Sequence, residues 1–121
     1  MKTELQNKLF EKYPKLLTKQ LAWGFECGDG WYDLIDRLCE NIQNYIDGSN
    51  VVNQIHATQI KEKFGTLRFY TDGGDDIIYD FIDFFDKESS KTCEICGAEG
   101  RLCGSGWLRT LCDNHAKEPW I

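Results

Sequence analysis

Four residues near the end of the chain have the types and the spacing of a metal site. Cys93 and Cys96 form a C-x2-C pair, fifteen residues follow, and Cys112 and His115 form a C-x2-H pair. Thiolate sulfur and imidazole nitrogen are the ligands that Zn²⁺ prefers, and two closely spaced pairs at this separation are typical of zinc modules. We therefore predict that these four residues bind one Zn²⁺ ion.

The residues around the two pairs predict how the site is built. Gly97 follows the second cysteine and suits a tight knuckle that aims backbone N–H groups at the thiolates. The second pair lies in LCDNHAKE, which we interpret as the first turn of a short helix. Knuckle, short hairpin and helix-borne pair together predict a treble-clef-like module. Because four protein ligands leave no open position, its zinc is expected to be structural.

The sequence leaves two alternatives to this ligand set. The cysteines could form disulfides or be buried thiols without a metal, although doubled pairs at this spacing favour a metal. Cys103 lies between the two pairs and could replace Cys112 or His115 as a ligand. We assign Cys103 to the hairpin, because the C-x2-H pair already supplies two ligands from one short segment.

Composition is typical of a compact protein that keeps its thiols reduced. The 121 residues suit one domain, or a small domain with a metal-stabilised appendage, and 41% of them are hydrophobic. No apolar run is long enough for a transmembrane helix, and the start of the chain lacks the apolar block of a signal peptide. Six cysteines without an export signal predict a cytoplasmic location. The formal net charge of −6 disfavours an extended nucleic acid as partner.

Hydrophobic spacing predicts three helices. Thr3 and Gln6 resemble a capping box, and the apolar residues after them predict a helix over about 4–13. Apolar residues at three- and four-residue steps predict a longer amphipathic helix over 31–47. A third helix is predicted over 75–87, where two aspartates suit the positive end of the helix.

A hairpin is predicted between the second and the third helix. Residues 51–71 are rich in β-branched residues and end in an apolar–polar alternation, with the reversal at Lys61 to Gly65. The alternation turns Arg68 away from the apolar face, where it could join a cationic cluster or belong to a solvated basic face. We thus predict an α+β protein, with helices packed on a small antiparallel hairpin over 1–90 and a zinc-binding module over 91–121.

The least regular stretch outside the metal motif is AWGFECGDGWYD, residues 22–33. Its three glycines argue against a continuous helix or strand, so we expect a shaped loop that runs into the second helix. Its aromatic rings could fill the core, or they could line a concave site with Glu26 and Asp29 as polar groups. The sequence leaves both interpretations open.

The motifs of common enzymes are missing from the sequence. No G-x-S-x-G, H-E-x-x-H or Walker-type loop is present. If His115 binds zinc, His56 is the one remaining histidine, and no cysteine or serine near it suggests a nucleophile. Glu26 and Asp29 could still support carboxylate chemistry. We predict a protein that binds rather than catalyses.

Three sequence blocks resemble a family of small, largely uncharacterised proteins from bacteriophage and bacterial genomes. The blocks are WGFECGDGW at 23–31, KEKFGTLRF at 61–69 and the metal module that ends in RTLCDNH at 109–115. Together they cover most of residues 22–115. The resemblance implies no particular activity, but short phage accessory proteins commonly act by binding host machinery or host defence factors.

The first functional hypothesis is a non-catalytic protein that binds a small anionic ligand of nucleotide type, for instance to sequester a defence signal. Aromatic rings would stack on a base, cations would hold phosphate, and acids would contact the ribose or the base edges. The predicted ligand-binding residues are Trp23, Glu26, Asp29, Trp31, Tyr32, Lys63, Arg68 and Arg109.

Two alternative hypotheses use other surfaces. An inhibitor that binds a host protein would use the acidic segment at 72–88 together with the Trp-rich loop. A zinc protein that binds nucleic acid would use Arg101, Arg109 and Lys117, and the net charge argues against it. The sequence determines neither the identity of the partner nor the oligomeric state.

Overall fold

The computed structural model describes residues 1–116. Within that range the chain forms three helices, α1 (Thr3–Lys12), α2 (Tyr32–Asp47) and α3 (Asp76–Ser89). It also forms five strands, β1 (Phe25–Glu26), β2 (Ala57–Lys63), β3 (Thr66–Thr71), β4 (Arg101–Cys103) and β5 (Arg109–Leu111). The protein is therefore α+β, as predicted. Residues 117–121, which end the predicted zinc-binding module and include Lys117, lie outside the described residues.

The larger sheet has three strands in the order β1-β2-β3. β2 and β3 pair in antiparallel fashion, with Ile60 opposite Phe69 and Lys61 opposite Arg68, which confirms the predicted hairpin. β1 pairs with β2 in parallel, so that Glu26 lies beside Lys61. The sequence gives no sign of β1, because a strand of two residues is too short to show a periodicity.

The hairpin is shorter than its predicted range of 51–71. Residues 49–56 form an irregular connection, and the reversal consists of Phe64 and Gly65 rather than the five residues from Lys61. Both turn residues have positive φ, 54° and 85°, which is the pattern of type I′ turns, whose twist matches that of the two strands. The lysines near the end of β2 therefore lie in the strand and not in a loop.

The main apolar core lies between the helices and one face of this sheet. α2 buries the stripe that its spacing predicts, and Cys39 on that stripe is fully buried, which raises the pKa of its thiol. The sheet contributes Ile60 and Phe69, and α3 contributes Ile78 and Phe85. The helices thus cover one face of the sheet, and its polar face stays exposed or half-buried.

α1 begins without the capping box that Thr3 and Gln6 resemble. The residue before the helix is Lys2, and no side chain caps the first turn. Gln6 instead donates a hydrogen bond to Met1 O at 2.6 Å and accepts one from the Phe25 N–H at 3.2 Å. The prediction was wrong because this side chain makes a tertiary contact that joins α1 to β1.

The other two helices lie close to their predicted ranges. A short 3-10 turn over Asp29–Trp31 precedes α2, which therefore begins one residue later than predicted. Asp75 caps α3, because its side chain accepts the Ile78 N–H at 3.0 Å. Hydrogen bonds from the Tyr45 hydroxyl and from this N–H lower the pKa of Asp75.

The C-terminal part of the described chain is built around a second, smaller sheet. β4 and β5 pair in antiparallel fashion, with Leu102 opposite Thr110. Its small apolar cluster consists of Cys93, Cys103, Leu111 and Cys112. Within residues 1–116 no helix has the length and apolar character needed to cross a membrane.

Candidate metal centre

Cys93, Cys96, Cys112 and His115 converge at one point. Their ligand atoms all lie within 4.8 Å of one another. Sγ of Cys96 is 3.6 Å from Sγ of Cys112, and Nδ1 of His115 is 3.2 Å from Sγ of Cys112 and 3.7 Å from Sγ of Cys93. Three sulfurs and one nitrogen around a tetrahedral ion, at bond lengths near 2.0–2.3 Å, stand roughly 3.5–3.8 Å apart. The cluster therefore fits a single metal ion.

The first ligand pair lies in a tight knuckle. The Cys93 N–H donates to Ala98 O at 2.8 Å, and the Gly97 N–H donates to Cys93 O at 2.8 Å. Gly97 has φ +84°, a conformation that favours glycine, so its position after the second cysteine is a backbone requirement. The tight knuckle that Gly97 predicts from the sequence is therefore present.

Backbone N–H groups from both ligand pairs favour a thiolate at Cys93. Burial raises the pKa of this thiol, but hydrogen bonds from the backbone N–H groups of Cys112, Cys96 and Ile95 outweigh burial and lower the pKa to about 6. A thiolate is the form that binds a metal, so the lowered pKa means that protons compete less with the metal for the Cys93 sulfur.

The second ligand pair lies in a turn at the end of the described chain. The backbone N–H groups of His115 and Ala116 both donate to Cys112 O, at 3.1 Å and 2.9 Å. Through residue 116 this segment is a turn, and the remainder of the predicted short helix lies outside the described residues.

Cys103 belongs to the hairpin and not to the metal cluster. It is buried in β4, and its sulfur lies 3.4 Å from the carbonyl oxygen of Arg109 on β5. The four clustered ligands are the two spaced pairs, so Cys103 replaces neither Cys112 nor His115.

The glycine-rich loop at 22–33 is the surface on which the knuckle docks. The Gly30 N–H donates to Glu94 O at 2.8 Å, and the Gly28 N–H donates to the Glu94 carboxylate at 2.9 Å. A Cβ on Gly30 would lie 2.1 Å from Cys93 O, and one on Gly28 would lie 2.3 Å from Glu94 O. No side chain fits here, so the glycines permit backbone-to-backbone contact with the metal-binding segment.

Trp31 was predicted to bind ligand, and the structure contradicts this. Its side chain is fully buried, and its indole Nε1–H donates to Thr92 O at 2.9 Å. A ring with no exposed surface cannot stack on a ligand base. Trp31 instead fills the core and holds the residue that precedes Cys93, so the core interpretation of this ring is correct.

A second contact joins the β2–β3 turn to the β4–β5 hairpin. The buried Thr110 hydroxyl donates to Gly65 O at 2.6 Å. A Cβ on Gly65 would lie 2.4 Å from a methyl carbon of Leu102. We name these two contact regions, around Gly28–Gly30 and around Gly65, the docking surface. The segments 23–31 and 61–69 and the metal-binding part of the chain thus meet there.

Glu94 is the buried charge of the docking surface. Its side chain is 8% exposed, and Oε1 lies 3.6 Å from Nη2 of Arg109, whose side chain is 37% exposed. Arg109 was predicted to hold a ligand phosphate, but here it faces a buried carboxylate. Glu94 itself was not singled out from the sequence, because a glutamate between two metal ligands gives no local sign that it is buried.

The polar face of the larger sheet gathers three of the predicted ligand residues. The strand register places Glu26, Lys61 and Arg68 in one row across β1, β2 and β3. Lys63 lies two residues further along β2 and so on the same face. Nη1 of Arg68 also lies 3.8 Å from Oδ2 of Asp86 on α3. We call Lys61, Lys63 and Arg68 the basic face.

The remaining predicted ligand residues do not join this face. Trp23 is 78% exposed in the loop before β1. Asp29 accepts the Lys2 N–H at 2.8 Å, and its carboxylate lies 3.8 Å from the Lys2 ammonium group. Tyr32 is half-buried against the main core. The eight predicted residues therefore do not form one site.

A surface cleft of about 560 Å³ lies between residues 51–56 and 72–75. In it Nδ1 of His56 is 2.8 Å from Oδ2 of Asp72, and the His56 backbone N–H donates to Oδ1 at 2.8 Å. Hydrogen bonds from the His56 backbone and ring lower the pKa of Asp72. The sequence does not predict this pair, because the two residues meet only through the register of the hairpin.

Comparisons with models of known protein families, with curated proteins and with solved structures find no match to this chain, so the candidate metal centre rests on its own geometry.

Proposed function

We propose that this chain is a non-catalytic protein whose fold is stabilised by a structural Zn²⁺ and which binds a small anionic ligand of nucleotide type. Three sulfurs and one imidazole nitrogen are a donor set that Zn²⁺ prefers. They fill all four positions of a tetrahedral ion, so a metal-activated water has no place. The knuckle that carries Cys93 also packs against the docking surface, which suits a structural ion.

The single observation that carries the ligand class is the basic face on a protein of net charge −6. Among residues 1–116 neither Lys61 nor Lys63 makes an ion pair, although Arg68 contacts Asp86. A local positive patch on an acidic chain favours a compact anion over a long polyphosphate, because the overall field repels the latter. Nucleic acid is therefore the least favoured of the three hypotheses.

The biological role that we propose follows from the family resemblance. A short phage-type accessory protein in the host cytoplasm could sequester a nucleotide signal and so weaken a defence response. Sequestration needs no bond to be broken, which is consistent with the missing enzyme motifs.

A second candidate function, binding and inhibition of a host protein, is favoured by one feature of α3. Ile77 and Phe84 are 47% and 51% exposed and lie two helical turns apart, with Asp80 between them. Exposed apolar side chains beside acids suit a basic, partly apolar protein surface. F84S should then weaken capture of such a protein without changing nucleotide binding.

The proposed ligand class is tested by thermal denaturation with mono-, di- and cyclic nucleotides. At a ligand concentration of 100 Kd, binding adds about 2.7 kcal/mol to the free energy of unfolding, which raises Tm by several degrees. R68A should abolish this rise and leave the zinc content unchanged. K87A, which removes a cation from the surface of α3, is the matched control and should keep the rise. Absence of any rise with the wild-type protein, or an unchanged rise with R68A, would contradict the proposal.

A further inference from the structure

Two exposed aromatic rings from separate turns line one groove. Phe64 is the first residue of the β2–β3 turn and is 66% exposed, and Trp107 lies in the β4–β5 connection and is 77% exposed. The groove between them has a volume of about 260 Å³ and includes Lys63 and Leu108. Neither ring was among the predicted ligand residues. We call this feature the aromatic groove.

The backbone of Phe64 is unusual for an aromatic residue. Its φ is +54°, and among residues 1–116 it is the one non-glycine residue with a positive φ. Asparagine, aspartate and glycine are the residues that occupy this position of a type I′ turn at low energy, whereas a bulky side chain is strained there. Burial does not explain the phenylalanine, because most of its ring faces solvent. A strained and exposed aromatic ring points to a binding role.

The metal-binding part of the chain holds both turns in place. Gly65, next to Phe64, accepts the Thr110 hydroxyl through its carbonyl oxygen at 2.6 Å, and its N–H donates to the Glu62 carboxylate at 2.7 Å. Trp107 is carried by the hairpin that contains Thr110. The two turns are therefore positioned before any ligand arrives, which reduces the entropy lost on binding.

Charge indicates which occupant suits the aromatic groove. Nζ of Lys63 lies 5.7 Å from the centroid of the Phe64 ring, and Lys63 shares its face with Lys61 and Arg68. The one acid in the groove, Glu62, is directed to the Gly65 N–H. Glu26 lies beside Lys61 and Asp86 lies beside Arg68, so the three cations of the basic face outnumber its acidic neighbours by one. An apolar groove that borders such a net positive face suits a planar aromatic ring carrying a phosphate.

We propose that the aromatic groove binds the base of a mononucleotide whose phosphate lies on the basic face. This inference rests on the proposed function and specifies it further, since it assigns base recognition to Phe64 and Trp107 and moves it away from the 22–33 loop. Lys63 lies where the two surfaces meet and contacts both parts of the ligand.

The test compares three probes, adenosine 5′-monophosphate, ribose 5-phosphate and adenosine, by calorimetry and NMR titration on the zinc-loaded protein. The variants are F64N, which gives the turn its preferred Asn-Gly sequence and is expected to fold, and W107A. Both should weaken binding of the nucleotide by about tenfold or more, because stacking on aromatic rings is lost. Both should leave binding of ribose 5-phosphate unchanged, and K87A should bind every probe like the wild type.

The outcomes separate the two proposals. If F64N and W107A bind the nucleotide like the wild type while R68A does not, the aromatic groove is overturned and the proposed function stands. If adenosine shifts the NMR signals of the groove residues and R68A binds the nucleotide like the wild type, the groove stands and the phosphate assignment is overturned. Affinity for oligonucleotides that rises steeply with length would overturn the choice of a mononucleotide.

Discussion

The docking surface and the aromatic groove use the same residue types in opposite ways. At the docking surface, Gly28 and Gly30 lie under the backbone of the knuckle, and the Trp31 ring is fully buried with its N–H bonded. At the groove, Phe64 and Trp107 expose most of their rings. The comparison shows that a conspicuous Gly-aromatic segment can serve mainly the fold, although its Trp23 is exposed, and that less conspicuous aromatic residues at two turns can be as accessible to a ligand.

One short segment, residues 61–69, contributes to the docking surface, to the main core and to the basic face. Gly65 packs on the metal-binding hairpin, and Leu67 and Phe69 enter the core. The alternating residues of the same strands, Lys61 and Arg68 among them, form the basic face. Because a strand directs successive side chains to opposite faces, one motif can stabilise the fold and present a binding surface at once.

The largest effect that would sharpen this comparison is expected from G30A. A Cβ at this position would lie 2.1 Å from Cys93 O and 2.6 Å from Gly97 N, and backbone atoms cannot rotate away. We expect a loss of about 3 kcal/mol or more in the free energy of unfolding, measured by denaturant titration of the zinc-loaded protein.

The matched control for this substitution is G106A in the β4–β5 connection, where a Cβ would meet nothing within 4 Å. G106A should unfold within about 0.5 kcal/mol of the wild type. Equal stability of G30A and G106A would show that the knuckle does not press on the glycine-rich loop.

A smaller loss is expected from E94A. The substitution leaves the Gly28 N–H without its acceptor and removes the carboxylate beside Arg109, in a place that is almost fully buried. An unsatisfied buried donor costs about 1–3 kcal/mol, so a fall of that size in the free energy of unfolding is expected. E94Q keeps an acceptor oxygen and should lose less than E94A. The assignment fails if E94A is as stable as the wild type.

The smallest predicted effect has the opposite sign. F64N should raise the free energy of unfolding by up to about 1 kcal/mol, because asparagine tolerates the positive φ that strains phenylalanine. Little burial is lost, since the Phe64 ring is 66% exposed. A melting temperature clearly below that of the wild type would mean that the ring stabilises the fold and is not kept for binding.

The sequence predicts the parts of this protein that depend on local spacing. Cys93, Cys96, Cys112 and His115 converge as their two pairs predict, because two residues between ligands is a local constraint on the backbone. The apolar stripe of α2 is buried for a similar reason, since a period of 3.6 residues defines one face.

The sequence predictions were incomplete or wrong for features that depend on tertiary contacts. The capping box at Thr3 and Gln6 was wrong because Gln6 bonds to β1. The prediction that Trp31 binds a ligand was wrong because the ring is buried. Local sequence could not show this, since the hydrogen-bond partner of Trp31, Thr92, is distant in sequence. Glu94 gave no signal at all, since nothing in its local sequence shows that Gly28 will donate to it.

The central claim is that a metal holds the C-terminal segment on the glycine-rich loop. It is tested most directly by titrating the reduced, purified protein with a chelator while metal content and the NMR signal of the Trp31 indole N–H are followed together. We predict one zinc ion per chain, and loss of the native Trp31 signal in proportion to the zinc removed, because its acceptor Thr92 precedes Cys93. Protein purified without metal, or a metal-free protein that keeps the native Trp31 signal and melting temperature, would contradict the account.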